Sequence, residues 1–400
     1  MCIRDSGSSA LQANTSAESN VAVGDNALYT TTTGGANVAV GRYALRYSTN
    51  ASNNIAVGYN SLGANTTGER NTAIGGYALD GNTTATDCTA VGYAALTAVN
   101  TGGSNTALGA NALGNNTSGY YGVGLGRYAL YSNTTGHSNS AVGNNALYSN
   151  TTASNNTAFG EAALQLNTTG SENVAVGGTA LDACTTGSYN TAVGTAALSA
   201  STTASFNDAF GRYSLQDTTT GNNNAAFGVG TLMENSTGSE NTAFGSNALQ
   251  QNTTASFNTA VGRLALYLNT TGTDNTAVGV YSLDANTTGD YNTAIGRHSL
   301  GGNTTGDKNV AVGGNALFSN ATGNNNVAVG YNSLDANTAD GNTAIGYHAL
   351  ILNTSGADNC ALGMESLKAN TTGSDNNAFG RLSLGANTTG SYKSAIVFNA

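Results

Sequence analysis

The 400 residues carry 8% charged side chains, a formal net charge of −10, 54 glycines and neither proline nor tryptophan. Twelve lysines and arginines are too few for a surface that follows a phosphate backbone, so the composition argues against a nucleic-acid partner. No apolar run approaches the roughly 20 residues that carry a helix across a bilayer, which argues against membrane insertion.

Residues 1–6, MCIRDS, fit no slot of the pattern that follows, and they resemble a translated sequencing adapter joined in frame to a gene fragment. They are set aside from the fold. From Gly24 to Gly330 a glycine returns every 17 residues, and Gly346, Gly363 and Gly380 continue the series after one residue is lost in the segment 337–342. The unit is Asn71-Thr72-Ala73-Ile74-Gly75, with Leu79 four residues beyond the glycine and Asn82 three beyond the leucine. A fixed period of this size specifies stacked repeats. The expected fold is all-β, a parallel β-solenoid (β-helix or β-roll) of 17-residue coils. Residues 7–400 are expected to form a single solenoid of about 22 coils, truncated at one or both ends. At the C-terminus Val397 stands where the next glycine is due.

Each coil divides into three legs. The first, Thr or Val, then Ala, then Val, Ile, Leu or Phe, favours a short strand. Its last residue varies only among large apolar side chains, which predicts that Ile74 points inward and Ala73 outward. Gly75 marks a corner, because Ile74 and Leu79 would face opposite sides of one unbroken strand. The second leg, Ala-Leu, has two candidate conformations: a single helical or 3₁₀ turn ended by a left-handed Asn, or a second short strand. The third, Thr-Thr-Gly, is turn chemistry, and Ala85, Ala153, Ala204 and Ala255 in place of that glycine show that a positive φ is not required there. Asn20, Asn37, Asn54 and Asn71, one before each strand, predict a ladder of amides along the stack.

The core so described is thin, with about one large apolar residue, one leucine and two alanines per coil. Association of several chains, a homotrimer for preference, would make up for it. The units NTAVG and NVAVG with ALxxNTTG between them resemble the repeats of phage tail-fibre proteins that precede an endosialidase-type chaperone domain. More distantly, they resemble the NSxAIG units in the heads of YadA-like trimeric autotransporter adhesins. The resemblance covers residues 8–400 and implies a homotrimeric, extracellular fibre of a virion tail or bacterial cell surface, concerned with attachment to a host-surface carbohydrate or protein receptor.

Nothing in the sequence has the make-up of an enzyme, and no cofactor or metal is expected. His137, His298 and His348 sit in variable slots without a recurring carboxylate. Asp182, Asp284 and Asp335 follow the leucine in scattered coils rather than in the dense pattern of calcium-binding repeats. Cys88, Cys184 and Cys360 fill slots that hold Asn, Asn and Thr elsewhere, and the many NTT triplets arise from the repeat rather than from selection for glycosylation. Arg42, Arg127, Arg212 and Arg297 follow the corner glycine at intervals of 85 residues, and Arg381 extends the series. With Tyr43, Tyr77, Tyr128 and Tyr213 on the same leg they form the candidate ligand surface, suited to carbohydrate. The alternative to an adhesive shaft is a ligand-binding solenoid that takes carbohydrate or ice on regular Thr or Asn rows.

Overall fold

The computed structural model of the chain describes residues 4–396. They form 24 three-residue strands, all paired in parallel and in register wherever a pairing is resolved, with no helix. The chain divides after Ala204 into two compact units, and the same coil builds both. The backbone ladder reaches Arg4–Ser6, which pairs with Val21–Val23, and Gly7 has the corner's positive φ. Val397 lies outside the described residues.

In the representative coil Thr72, Ala73 and Ile74 pair with Thr89, Ala90 and Val91. Every leg, and not the strand alone, bonds to its neighbours. The amide of Thr72 donates to the Cys88 carbonyl at 2.8 Å in the next coil, while the amides of Gly75 and Tyr77 donate back to Val57 and Tyr59 at 2.7 and 2.9 Å. Leu79 and Gly81 again donate forward, to Ala95 and Thr97, both at 3.0 Å. Coil stacking thus satisfies backbone groups that would otherwise be orphaned in so thin a body.

The corner is where expected. Gly75 has φ +135°, and a Cβ there would lie 2.4 Å from the carbonyl oxygen of Gly92, the corner of the next coil. Stacking corners leave no room for a side chain. At Gly68 φ is not positive, in line with the alanines that replace it.

The strand faces the opposite way from the sequence expectation. Ala73 is fully buried and Ile74 is 41% exposed. The same holds along the chain: the strand alanines are buried except Ala395, and the bulky residue is exposed or partly exposed and in no described coil fully buried. The reason is thickness, since the interior of one coil is filled by Leu79, Ala78 and two asparagines, and the strand can contribute only a methyl group. In one coil Gly124 takes the alanine slot.

The second leg is neither helix nor strand. It is a turn carrying two left-handed residues, Tyr77 at φ 60° and Leu79 at φ 52°. Asn82, expected to be left-handed, is not. A third left-handed residue precedes the strand asparagine, as at Asp87, φ 60°. Such conformations cost an L-residue about 1 kcal/mol each, and here they direct Leu79 into the core while aiming its amide at the next coil.

Two amide ladders run through the interior. In the expected one Asn54 and Asn71 donate their backbone amides to the side-chain Oδ1 of Asn37 and Asn54, each at 2.9 Å. The second is built from the asparagine of the Thr-Thr leg, and in it Asn82 Nδ2 donates to Asn65 Oδ1 at 2.9 Å. The carbonyl of Ala85 joins the two, accepting from Asn71 Nδ2 at 2.9 Å and Asn82 Nδ2 at 3.2 Å. That inward carbonyl explains why the slot holds only Gly or Ala. Where one residue is lost, Gly341 adopts φ 71° and Asn342 rejoins the first ladder by donating its amide to Asn326 Oδ1 at 2.9 Å.

Candidate ligand surface

The residue directly after the corner glycine is mostly outside the coil, and the one after that is left-handed, so the two side chains diverge from a common edge. Arg42 and Tyr43 show the result. The Arg42 guanidinium lies 4.5 Å from the Tyr43 ring centroid and donates through Nη2 to the Tyr43 hydroxyl at 2.7 Å, with Asp25 of the preceding coil 3.4 Å from its Nε. The hydrogen bond to Tyr43 raises the arginine pKa further. Arg127 over Tyr128, at 4.7 Å, and Arg212 over Tyr213, at 4.3 Å, repeat the arrangement.

The remaining two arginines depart from it. Arg297 is exposed and is followed by His298, whose ring stacks on Tyr281 at 5.1 Å. Arg381 precedes Leu382 and contributes to holding Glu365 below the usual carboxylate range, an effect due first to the Lys368 hydrogen bond. Within one unit, arginines five coils apart are separated by about 24 Å at the usual strand spacing. They are separate places rather than one site.

A row of four tyrosines is not visible in any one slot of the repeat. Tyr43, Tyr59, Tyr77 and Tyr93 occupy successive coils, with ring centroids 5.9, 5.2 and 5.9 Å apart in edge-to-face contact. They alternate between the first and second positions after the glycine, so no single column of the repeat displays them. Arg46 completes the cluster, 4.8 Å from both Tyr43 and Tyr47. Its Nε is buried without a hydrogen-bond partner, and among the described residues its guanidinium forms no ion pair.

The other candidates are dispersed. Ser154 Oγ lies 3.0 Å from His137 Nδ1, but the same oxygen accepts the His137 amide at 3.1 Å, the ring stacks on Tyr120, and among the described residues no carboxylate bonds to it. His348 stacks on Tyr347 at 3.8 Å. Asp182, Asp284 and Asp335 are half-buried, and burial pushes each carboxyl above the ordinary range. No group of three His, Cys, Asp or Glu side chains able to hold a metal occurs among the described residues. Cys88 and Cys184 are buried inside the two amide ladders, and burial pushes the Cys184 thiol to about 11. The asparagines of the NTT triplets, such as Asn65, Asn82 and Asn133, are interior members of the second ladder, so their amides face the core rather than solvent.

The chain matches no known family model, and no curated protein matches it in sequence.

Proposed function

We propose that this protein is a non-catalytic structural and adhesive element, the shaft or head of an extracellular fibre on a virion tail or bacterial surface, assembled from several copies of the chain. The observation that carries this reading is the uncovered outer face of the strands. Parallel sheets are normally covered on both faces, yet here the outward row is apolar in nearly every coil, with Phe159 55% exposed in one unit and Phe244 58% exposed in the other. Exposed apolar stretches of such extent mark contact surfaces. Packing strand face against strand face among copies, in a trimer for preference, would bury that row and thicken a core that is thin in one chain.

The row does not favour the ice-binding alternative, which calls for a level array. Val, Ile, Leu and Phe differ in height, and the companion row beside them mixes Thr72 with Val123, Asp208 and Ala225. Measurement of solution mass by light scattering tests the proposal. A discrete oligomer is expected, together with its dissociation to folded monomers when Ile74, Leu108 and Phe159 are replaced by lysine. A wild-type chain that stays monomeric at all concentrations would overturn it.

A further inference from the structure

The geometry points to a binding site for an acidic saccharide on the cluster Arg42, Tyr43, Arg46, Tyr59, Tyr77 and Tyr93, an inference that gives the adhesive reading a ligand class. Three observations lead there. First, the rings are fixed but not covered: edge-to-face contacts at 5.2–5.9 Å hold them, while Tyr59 remains 43% and Tyr93 60% exposed. A sugar ring presents a face of C–H groups that packs on an aromatic face, and hydroxyls at its rim that need polar partners. A tyrosine supplies both from one side chain.

Second, the surroundings are polar rather than aliphatic. In these coils the other residues of the two positions after the glycine are Arg42, Asn60, Gly76 and Ala94. A polyhydroxylated chain lying on the rings meets hydroxyl, amide and guanidinium groups. Third, two guanidiniums belong to the cluster in a chain whose net charge is −10, set against Asp25 beside Arg42 and Asp80 beside Asn60 and Tyr77. Arg42 is paired with Asp25, whereas Arg46 lies against the Tyr43 and Tyr47 rings and forms no ion pair among the described residues. With Nε buried, the guanidinium held between rings has its two Nη groups left as the planar donor pair that matches a carboxylate. The acidic group of the saccharide is therefore assigned to Arg46 and the sugar faces to the tyrosines.

Titration of the full chain with a short oligogalacturonide, and with its neutral counterpart, by calorimetry tests the assignment. Arg46→Gln and the pair Tyr59→Ala with Tyr93→Ala suit the test, because Gln165 and Ala110 occupy the Arg46 and Tyr59 slots in other coils of the same fold, and a circular dichroism spectrum like that of the wild type is expected of each. Saturable binding of the acidic oligomer is expected, weakened about tenfold by Arg46→Gln and at least as much by the tyrosine pair. Tyr291→Ala, on the far turn of another unit, should leave it unchanged. Absence of saturable binding, equal binding of the neutral oligomer, or an equal loss in Tyr291→Ala would overturn the inference. Solution mass recorded on the same samples separates this from the fibre reading: a monomer that binds the saccharide retains the site and loses the shaft, and an oligomer that does not bind retains the shaft alone.

Discussion

Asn167 Oδ1 is buried without a hydrogen-bond partner because the next coil places Cys184 where an asparagine amide would donate. In intact stretches of the same ladder each amide bonds to the oxygen one coil back, as Asn167 Nδ2 does to Asn150 Oδ1 at 3.0 Å. Cys184→Asn should therefore stabilise the protein by about 1 kcal/mol or more, since an unsatisfied buried acceptor gains its donor in a slot already shaped for asparagine. Denaturant midpoints decide it, and an unchanged or lower midpoint would refute the account. In the wild-type protein the Cys184 thiol, buried and raised to about 11, should resist alkylation at neutral pH until the chain unfolds, as peptide mass analysis would show.

The corner glycine and its neighbour make a controlled pair. Gly75→Ala puts a methyl group 2.4 Å from the Gly92 carbonyl oxygen at φ +135°, whereas a Cβ at Gly76 meets only the Tyr93 ring at 3.7 Å. The first substitution should cost about 3 kcal/mol or more and the second within about 0.5 kcal/mol of nothing. Comparable thermal shifts in both would mean that corner stacking does not set the rule.

Phe257 is exposed and left-handed at φ 62°, and the same slot in the shortened coil holds Gly341 at φ 71°. Phe257→Gly should raise stability by roughly 1 kcal/mol, by removing the clash between Cβ and the backbone that this conformation imposes. A lower unfolding midpoint would show that contacts of the ring outweigh the strain.

Asp182 gives a pH dependence with a defined sign. Burial raises its folded pKa above the ordinary 3.8, and one carboxylate oxygen is buried and unpartnered. The folded state therefore binds the proton more tightly than the unfolded one, so its contribution to stability is fully present below 3.8 and is lost as pH rises through the folded value. Asp182→Asn should stabilise the protein at neutral pH, with an advantage that shrinks on acidification. An advantage that is constant across that range would rule out ionisation as the cause.

The parts of the fold legible in the sequence were those fixed by backbone geometry repeated at one position. The corner at Gly75 and the ladder through Asn54 and Asn71 could be read because few residues substitute there. The direction of Ile74 could not, because a large apolar side chain ordinarily signals burial, whereas in a coil filled by Leu79 and two asparagines the only space left fits Ala73. Leu79 at φ 52° was equally hidden, since leucine seldom adopts a left-handed conformation and nothing local announces it. The candidate surface was half visible. Arg42 and Tyr43 share a column with their counterparts, but the Tyr59 and Tyr93 rings reach the cluster from a different column, and only three-dimensional stacking brings them together.

Each ladder makes one rung indistinguishable in kind from the next, and this has a consequence for the gene. Recombination that inserts or removes 17 codons returns every amide, carbonyl and corner to an equivalent partner, so coil number can drift with little selection against it. Loss of a single codon has no such licence. The chain accommodates one such loss, at the turn where Gly341 takes up the slack and Asn342 restores the rung. Variation in length among descendants of this sequence should therefore come in whole coils, with fractional changes confined to that turn.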